Sequence, residues 1–300
     1  MIVIPSESVH FKYFTGFEAA GCYLIKNDME EDGELFCSEM EYQRMKNNWE
    51  DVKLGKIADV LKLGKSFDIP FDISHSLMIK FKGKKIKDCS KEIEEMRMIK
   101  FPEEKSAIKE AEKICLELVP ELPKIVKKYT EEEASHWIKR ELHDMEADPS
   151  FEPIVAYDEN SAFPHHQSED KKCKNIALID FGAKVEGYCS DVTFTIGFNP
   201  HMNKISDGIE DAWNDIKKSI KPNVKINRLA TLAEGIIKNH VDTHEKMIHS
   251  LGHSIGMDVH EYPRINKKSK INFEKGMVLA IEPATYTKTY GARFEKEIYL

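Results

Sequence analysis

The sequence predicts an α+β chain in two parts, a small α/β region over residues 1–92 and a larger body over 93–300. Two changes of texture carry that expectation. Short β-like runs between polar turns give way to helical periodicity from Glu92 onward. Between residues 100 and 300 the order of two helices followed by strands then occurs twice, a repeat of elements and not of letters. A length of 300 residues also exceeds the usual single domain and favours two bodies.

The elements follow in order. Cys22-Tyr-Leu-Ile25 and Glu34-Leu-Phe-Cys37 flank a turn containing Asp32-Gly33, a hairpin pattern. Pro102 suits a helix start, and Ile108, Ala111, Cys115 and Leu118 follow at spacings of three or four. Thr130 and Glu133 have the spacing of a capping box, in which each side chain satisfies the other residue's backbone N–H. Ala134, Trp137, Ile138, Leu142 and Met145 then make one apolar stripe. Strand-like runs come next at Ile154-Val-Ala156, Asn175-Ile-Ala-Leu-Ile179 and Val192-Thr-Phe-Thr-Ile196. A second helix pair is read from Ile205, Ile209, Ala212, Ile216 and Ile220, ended by Pro222, and from Leu229, Leu232, Ala233, Ile236 and Ile237. Strands return at Met277-Val-Leu-Ala-Ile281 and between Phe294 and Leu300.

Composition excludes several function classes. With 41% hydrophobic and 32% charged residues the chain is neither disordered nor membrane-embedded. No cationic start with a cleavable apolar run opens it, so a cytoplasmic chain without a membrane partner is expected. The net charge of −8 offers no footprint for nucleic acid. Six scattered cysteines without a C-x-x-C pair fit a reducing compartment better than a zinc knuckle or a disulfide framework.

Four motifs fail on their mechanics. Gly252-His-Ser-Ile-Gly256 matches the serine-hydrolase elbow, but His260 is the only later histidine and lies too close in sequence to return to Ser254. The run from Asp28 to Gly33 with Glu39 approximates a calcium loop, yet Glu30 is too long for its position and the flanks read as strands. His244-Glu245 with His249 puts the histidines five residues apart, about 140° around a helix, so they cannot share an ion. Asp180-Phe-Gly182 lacks the other parts of a kinase.

One constellation survives. Asp180 ends an apolar strand and Asp191 opens the next, while His253, Glu282 and Glu295 stand beside strands of the second repeat. Four carboxylates and one imidazole suit a pair of hard-to-borderline divalent ions rather than a structural zinc. An acid abutting a buried strand needs a partner, because an unpaired buried carboxylate is expensive.

Around these residues the chain resembles the metallopeptidase family of methionine aminopeptidase, Xaa-Pro aminopeptidase and prolidase. The matching stretches are Ile179-Asp-Phe-Gly-Ala183, Gly187-Tyr-Cys-Ser-Asp191-Val-Thr193, Gly252-His-Ser-Ile-Gly-Met-Asp-Val-His-Glu261, Ile281-Glu-Pro283 and Gly291-Ala-Arg-Phe-Glu295. The resemblance implies the pita-bread fold, two pseudo-symmetric halves around a dinuclear metal site, with Asp180, Asp191, His253, Glu282 and Glu295 as ligands. Asn160-Ser-Ala-Phe-Pro164-His165 is similar to the segment carrying a substrate-binding histidine, and His260 matches the second. Phe11-Lys-Tyr-Phe-Thr-Gly-Phe17 and Glu41-Tyr-Gln-Arg44 resemble, more faintly, the accessory domain of proline-specific members, here shortened. The implied activity is hydrolysis of the Xaa-Pro bond of dipeptides or short peptides by a metal-bridging hydroxide, in a homodimer. The implied cofactor is two divalent ions, manganese foremost, with cobalt, iron or zinc as others. Glu282 would also shuttle a proton, His165 and His260 would hydrogen-bond the substrate, and Arg293 would bind either a substrate carboxylate or a ligand acid. A methionine aminopeptidase, another hydrolase of this fold, or a non-catalytic binding module remain the alternatives. Phe194, Ala284 and Lys296 depart from common family residues without removing a ligand, and Phe194 and Lys296 change the charge around the site.

Overall fold

A computed structural model describes residues 1–241 and 247–300, arranged as two compact units, Met1–Met96 and Arg97–Leu300. His244 and Glu245 lie outside the described residues. Among the described residues no helix is long and apolar enough to cross a membrane.

The first unit is built on a six-stranded sheet whose order is Val52–Leu54, Glu34–Cys37, Tyr23–Lys26, Ile2–Pro5, Ser66–Ile69 and Lys85–Asp88. The expected hairpin is present, with Tyr23 opposite Phe36. Its turn closes on itself: one oxygen of the Asp28 carboxylate accepts the Glu30 and Glu31 N–H groups at 3.0 and 2.9 Å. Ile4, Phe11, Leu24 and Leu35 pack as one buried cluster on one face of the sheet.

The second unit opens with the helix Pro102–Leu118, whose Pro102 occupies the first turn where a missing N–H costs nothing. The capping box at the helix Glu131–Asp144 forms, with Glu133 accepting from Thr130 N–H at 2.9 Å and Thr130 accepting from Glu133 N–H at 3.4 Å. A shorter helix, Leu122–Lys128, stands between these two and is absent from the sequence reading. Pro120 and Pro123 break the periodicity there, yet each sits in the first turn of a new helical segment, the one position a proline tolerates. Three antiparallel strands follow, Ile154–Tyr157, Ile176–Phe181 and Val192–Gly197, with Thr193 opposite Asp180.

The second half repeats the plan. Helices Pro200–Lys218 and Ile226–His240 cover a sheet of Glu261–Ile265, Gly252–Ser254, Val278–Ile281 and Lys296–Tyr299. The Trp213 indole N–H donates to the Ile281 carbonyl at 2.9 Å and pins the first of these helices to the strand that ends beside Glu282. At Gly252 the neighbouring strand comes so close that a Cβ would lie 2.1 Å from the Ala280 carbonyl oxygen. Each half has its own apolar core, one around Ile138, Val155 and Ile179, the other around Ile209, Trp213 and Leu279. The halves are stitched where Thr193 and Glu295 exchange backbone hydrogen bonds of 2.9 and 3.2 Å.

Candidate metal centre

The stitch between the halves is where the acids meet. Asp180 lies one residue from the end of its strand and Asp191 immediately precedes the antiparallel partner strand. His253 is the middle residue of Gly252–Ser254, whose first residue pairs with Ile281, so Glu282 emerges beside it. Glu295 sits between Gly291–Arg293 and Lys296–Tyr299, next to the pair formed by Ile281 and Lys296. Side-chain donors of Asp180, Asp191 and Glu295 all fall within 4.8 Å of one another, as do those of His253, Glu282 and Glu295. The five ligand candidates therefore come together from four strand ends and one strand centre.

Their charge state follows from burial. His253 Nδ1 lies 3.1 Å from the Ser254 carbonyl, which can only accept, so the proton belongs on Nδ1. Nε2 is then a lone pair, 3.6 Å from Asp191 and 3.7 Å from Glu295. Burial holds this imidazole neutral, with a pKa lowered to about 3. Burial also pushes Asp191 and Glu295 well above the carboxylate range, reinforced by the neighbouring acids, and pushes Glu282 up to about 8 against the pull of Arg293. Asp180 Oδ1, Asp191 Oδ1 and Glu295 Oε1 are buried and find no hydrogen-bond partner among the described residues. Buried carboxylate oxygens left open around a lone-pair nitrogen are a donor set for divalent cations, and the residues fit that role.

Arg293 is the buried cation of the site. Its guanidinium pairs with Asp180, donates to Thr193 Oγ1 at 3.0 Å and Tyr286 Oη at 2.8 Å, and stands 3.9 Å from Glu295. Of the two partners the sequence left open for Arg293, a candidate ligand acid, Asp180, is the one it holds.

His249 is the residue beside the candidate ligands that the sequence reading set aside. It lies 3.3 Å from a Glu282 oxygen, with Nδ1 also 2.7 Å from the Ser250 carbonyl and Nε2 3.1 Å from Tyr286 Oη. Its spacing of four residues before His253 was the available signal. His260 is exposed, its ring 4.4 Å from that of His253. His165 is exposed on the segment after the short helix Asp158–Ala162. That segment is anchored by Glu131, whose buried carboxylate accepts from the N–H groups of Tyr157 and Glu169 and from the Asn160 amide at 2.6 to 3.0 Å, and meets His166 Nε2 at 2.8 Å. Glu131 and His166 are thus spoken for within the fold. A cavity of about 710 Å³ opens over the centre, with His165, His249, His260, Arg264, Glu282 and Arg293 in its wall.

Residues 106–300 match the sequence profile of metallopeptidase family M24. The chain belongs to that family. Among its M24 relatives is the Xaa-Pro dipeptidase of Pyrococcus furiosus, 29% identical over 99% of this chain and 90% of the relative. The solved structure of prolidase from Pyrococcus furiosus superposes with a TM-score of 0.87 at 28% identity, covering all of this chain and 93% of the other. An X-Pro aminopeptidase from Thermotoga maritima superposes with a TM-score of 0.86 at 25% identity, covering all of this chain and 92% of the other. The fold is the pita-bread fold, and an M24 metallopeptidase implies divalent metal ions. Ser254 takes no part in the centre: it is fully buried and donates to the Val278 carbonyl at 3.1 Å.

Proposed function

We propose that this M24 enzyme hydrolyses the bond between the first residue and proline, and that dipeptides are its preferred substrates. The observation that carries the proposal is a cation in the wall of the cavity that Glu282 also lines, on the strand beside His253. Arg264 is exposed in the wall with Lys267 and Lys268, and among the described residues it has no carboxylate partner. Its charge is felt by Glu282, His253 and His260, so it stands close to the reacting bond. A dipeptide has a free carboxylate one residue beyond that bond, and a guanidinium is the side chain suited to grip it.

Asp180, Asp191, His253, Glu282 and Glu295 would hold two divalent ions, with manganese the expected metal. Bound, such ions make water acidic enough to attack near neutral pH and polarise a carbonyl. This chain's own residues do the rest. Glu282 takes a proton on its carboxylate and returns it to the leaving proline nitrogen. His249 and Tyr286 orient Glu282, while Arg293 orients Asp180. His165 and His260 donate hydrogen bonds to the scissile carbonyl as charge develops on its oxygen. We further propose a cytoplasmic homodimer, for which Met40, Leu54 and Ile79 offer exposed apolar surface on the first unit. Light scattering giving a mass near 34.6 kDa would remove the dimer.

A peptide panel tests the activity. With manganese added, Xaa-Pro should be cleaved faster than Xaa-Pro-Yaa, and Met-Ala-Yaa hardly at all. Arg264→Ala should raise KM for the dipeptide while leaving the tripeptide nearly unaffected. Preference for Met-Ala-Yaa would replace the proposal with a methionine aminopeptidase.

A further inference from the structure

We propose that Lys100 and Glu261 form a buried clamp that positions His260, an inference that rests on the reading of His260 as a substrate contact. The loop 255–260 leaves the strand Gly252–Ser254 and ends at His260, directly before the strand Glu261–Ile265. Lys100 lies beneath both ends of it. The Lys100 side chain has 0% exposure, and its ammonium donates to Ser254 Oγ at 2.9 Å and to Glu261 Oε2 at 3.0 Å. Its backbone N–H is fixed in turn to the Gly276 carbonyl at 3.0 Å.

Glu261 is oriented from every side. Its Oε1 accepts the Asp258 N–H at 3.2 Å and pairs with Arg97, which also holds the Asp258 carboxylate at 2.9 Å. The carboxylate packs so tightly under the loop that a Cβ on Gly256 would lie 2.6 Å from Oε1. A carboxylate held by three donors on its two oxygens has little freedom to turn, and its orientation sets the backbone from which His260 projects. A buried ion pair is a poor source of stability compared with apolar packing, so its usefulness here lies in geometry. The Lys100–Ser254 contact is no nucleophilic dyad, because Ser254 is sealed from the cavity and donates its proton to the Val278 carbonyl. Lys100 and Glu261 touch no substrate; they are positioning residues.

A double-mutant cycle tests this in the full-length, manganese-loaded enzyme. Lys100→Met and His260→Ala are made singly and together, and kcat, KM and manganese affinity are measured for each. His260→Ala should lower kcat on an Xaa-Pro dipeptide by about 100-fold, and Lys100→Met by about 10- to 100-fold, the scale of a small misplacement of a catalytic contact. KM and manganese affinity should stay within about threefold. In the His260→Ala background, Lys100→Met should cost less than about twofold, because contacts acting in series are not additive. The same loss in both backgrounds, or a loss tracked by weaker manganese binding, overturns the clamp. If Lys100→Met does not fold, Glu261→Gln carries the same cycle, since it keeps the size and loses the charge. Failure of the underlying reading is separate: the wild type would not cleave Xaa-Pro, or His260→Ala would match it, and the inference would fall with that reading.

Discussion

His249 and His253 are four residues apart, and both are held neutral by burial, at about 4 and about 3. Their duties differ because of their second nitrogen. In His253 it faces Asp191 and Glu295, whereas in His249 it meets the Tyr286 hydroxyl, which also accepts from Arg293. Glu282 stands between the two regimes, as both ligand candidate and proton carrier. Glu282→Gln keeps the size and one carbonyl oxygen but removes the charge and the basic site. It should reduce kcat by at least about 100-fold and weaken manganese binding, with the circular dichroism spectrum unchanged; turnover within tenfold of wild type would exclude the proton-carrying role. The cysteines answer a different question. Burial pushes Cys22, Cys89 and Cys115 up to about 12, so little thiolate exists at pH 8. Native protein should therefore react only slowly with a thiol-disulfide reagent, and release all six thiols on unfolding. Fast reaction of most thiols in the native state would contradict the burial.

Strands and helices were legible to different degrees, and the reason is local. The capping box at Thr130 and the stripe from Ala134 to Leu142 are information carried by residues a few positions apart, and the helix Glu131–Asp144 forms as read. The candidate ligand acids could be singled out because each stands at the edge of an apolar run, where a carboxylate is costly without a partner, and because the stretches around them resemble the family's. The Lys100 contacts were not: its partners lie 154 and 161 residues away, and in sequence it is one of 44 basic residues. The short helix Leu122–Lys128 was hidden by prolines that usually signal interruption. Close approach of strands is equally invisible, and it makes a sharp test. Gly252→Ala would drive a methyl group to 2.1 Å from the Ala280 carbonyl, forcing apart the strands that hold His253 and Glu282. Manganese affinity should fall at least tenfold and the unit should unfold at a lower temperature. Gly235→Ala is the control: its Cβ meets nothing within 4 Å in the interior of Ile226–His240, so it should stabilise by about 0.5–1 kcal/mol. If calorimetric titration and melting gave the two variants equal values, the close strand approach would not be what holds the centre.

Across the whole molecule, the metal centre is a store of unbalanced charge gathered where the two halves meet. Asp191, Glu295 and Glu297 are pushed up by burial and by neighbouring acids, Glu282 by burial against the pull of Arg293, and Arg293 is the one buried cation paired directly with a candidate ligand acid among the described residues. Divalent ions would supply the missing positive charge, so the metal-free protein should show the deficit as a pH dependence of stability. A carboxyl group whose folded pKa is raised binds more protons in the folded state, so stability falls as pH rises through the window between its ordinary and its folded value. For Glu282 that window runs from the ordinary carboxylate value to about 8. Below pH about 6.5 the effect is opposed, because His249 and His253 stay neutral when folded but take protons when unfolded. Above pH 8 the buried thiols add a fall of their own, common to both forms. The clean interval is therefore pH 6.5 to 8. Chelated protein should melt several degrees higher at pH 6.5 than at pH 8, on the scale of roughly 2–4 °C per kcal/mol for a unit of this size. Manganese-loaded protein should lose most of that slope, because bound ions keep the acids ionised throughout and binding to the folded state raises stability most where protons compete least. Scanning calorimetry on both forms across that interval decides the matter: parallel pH dependences would mean that the acids do not form one metal-balanced centre.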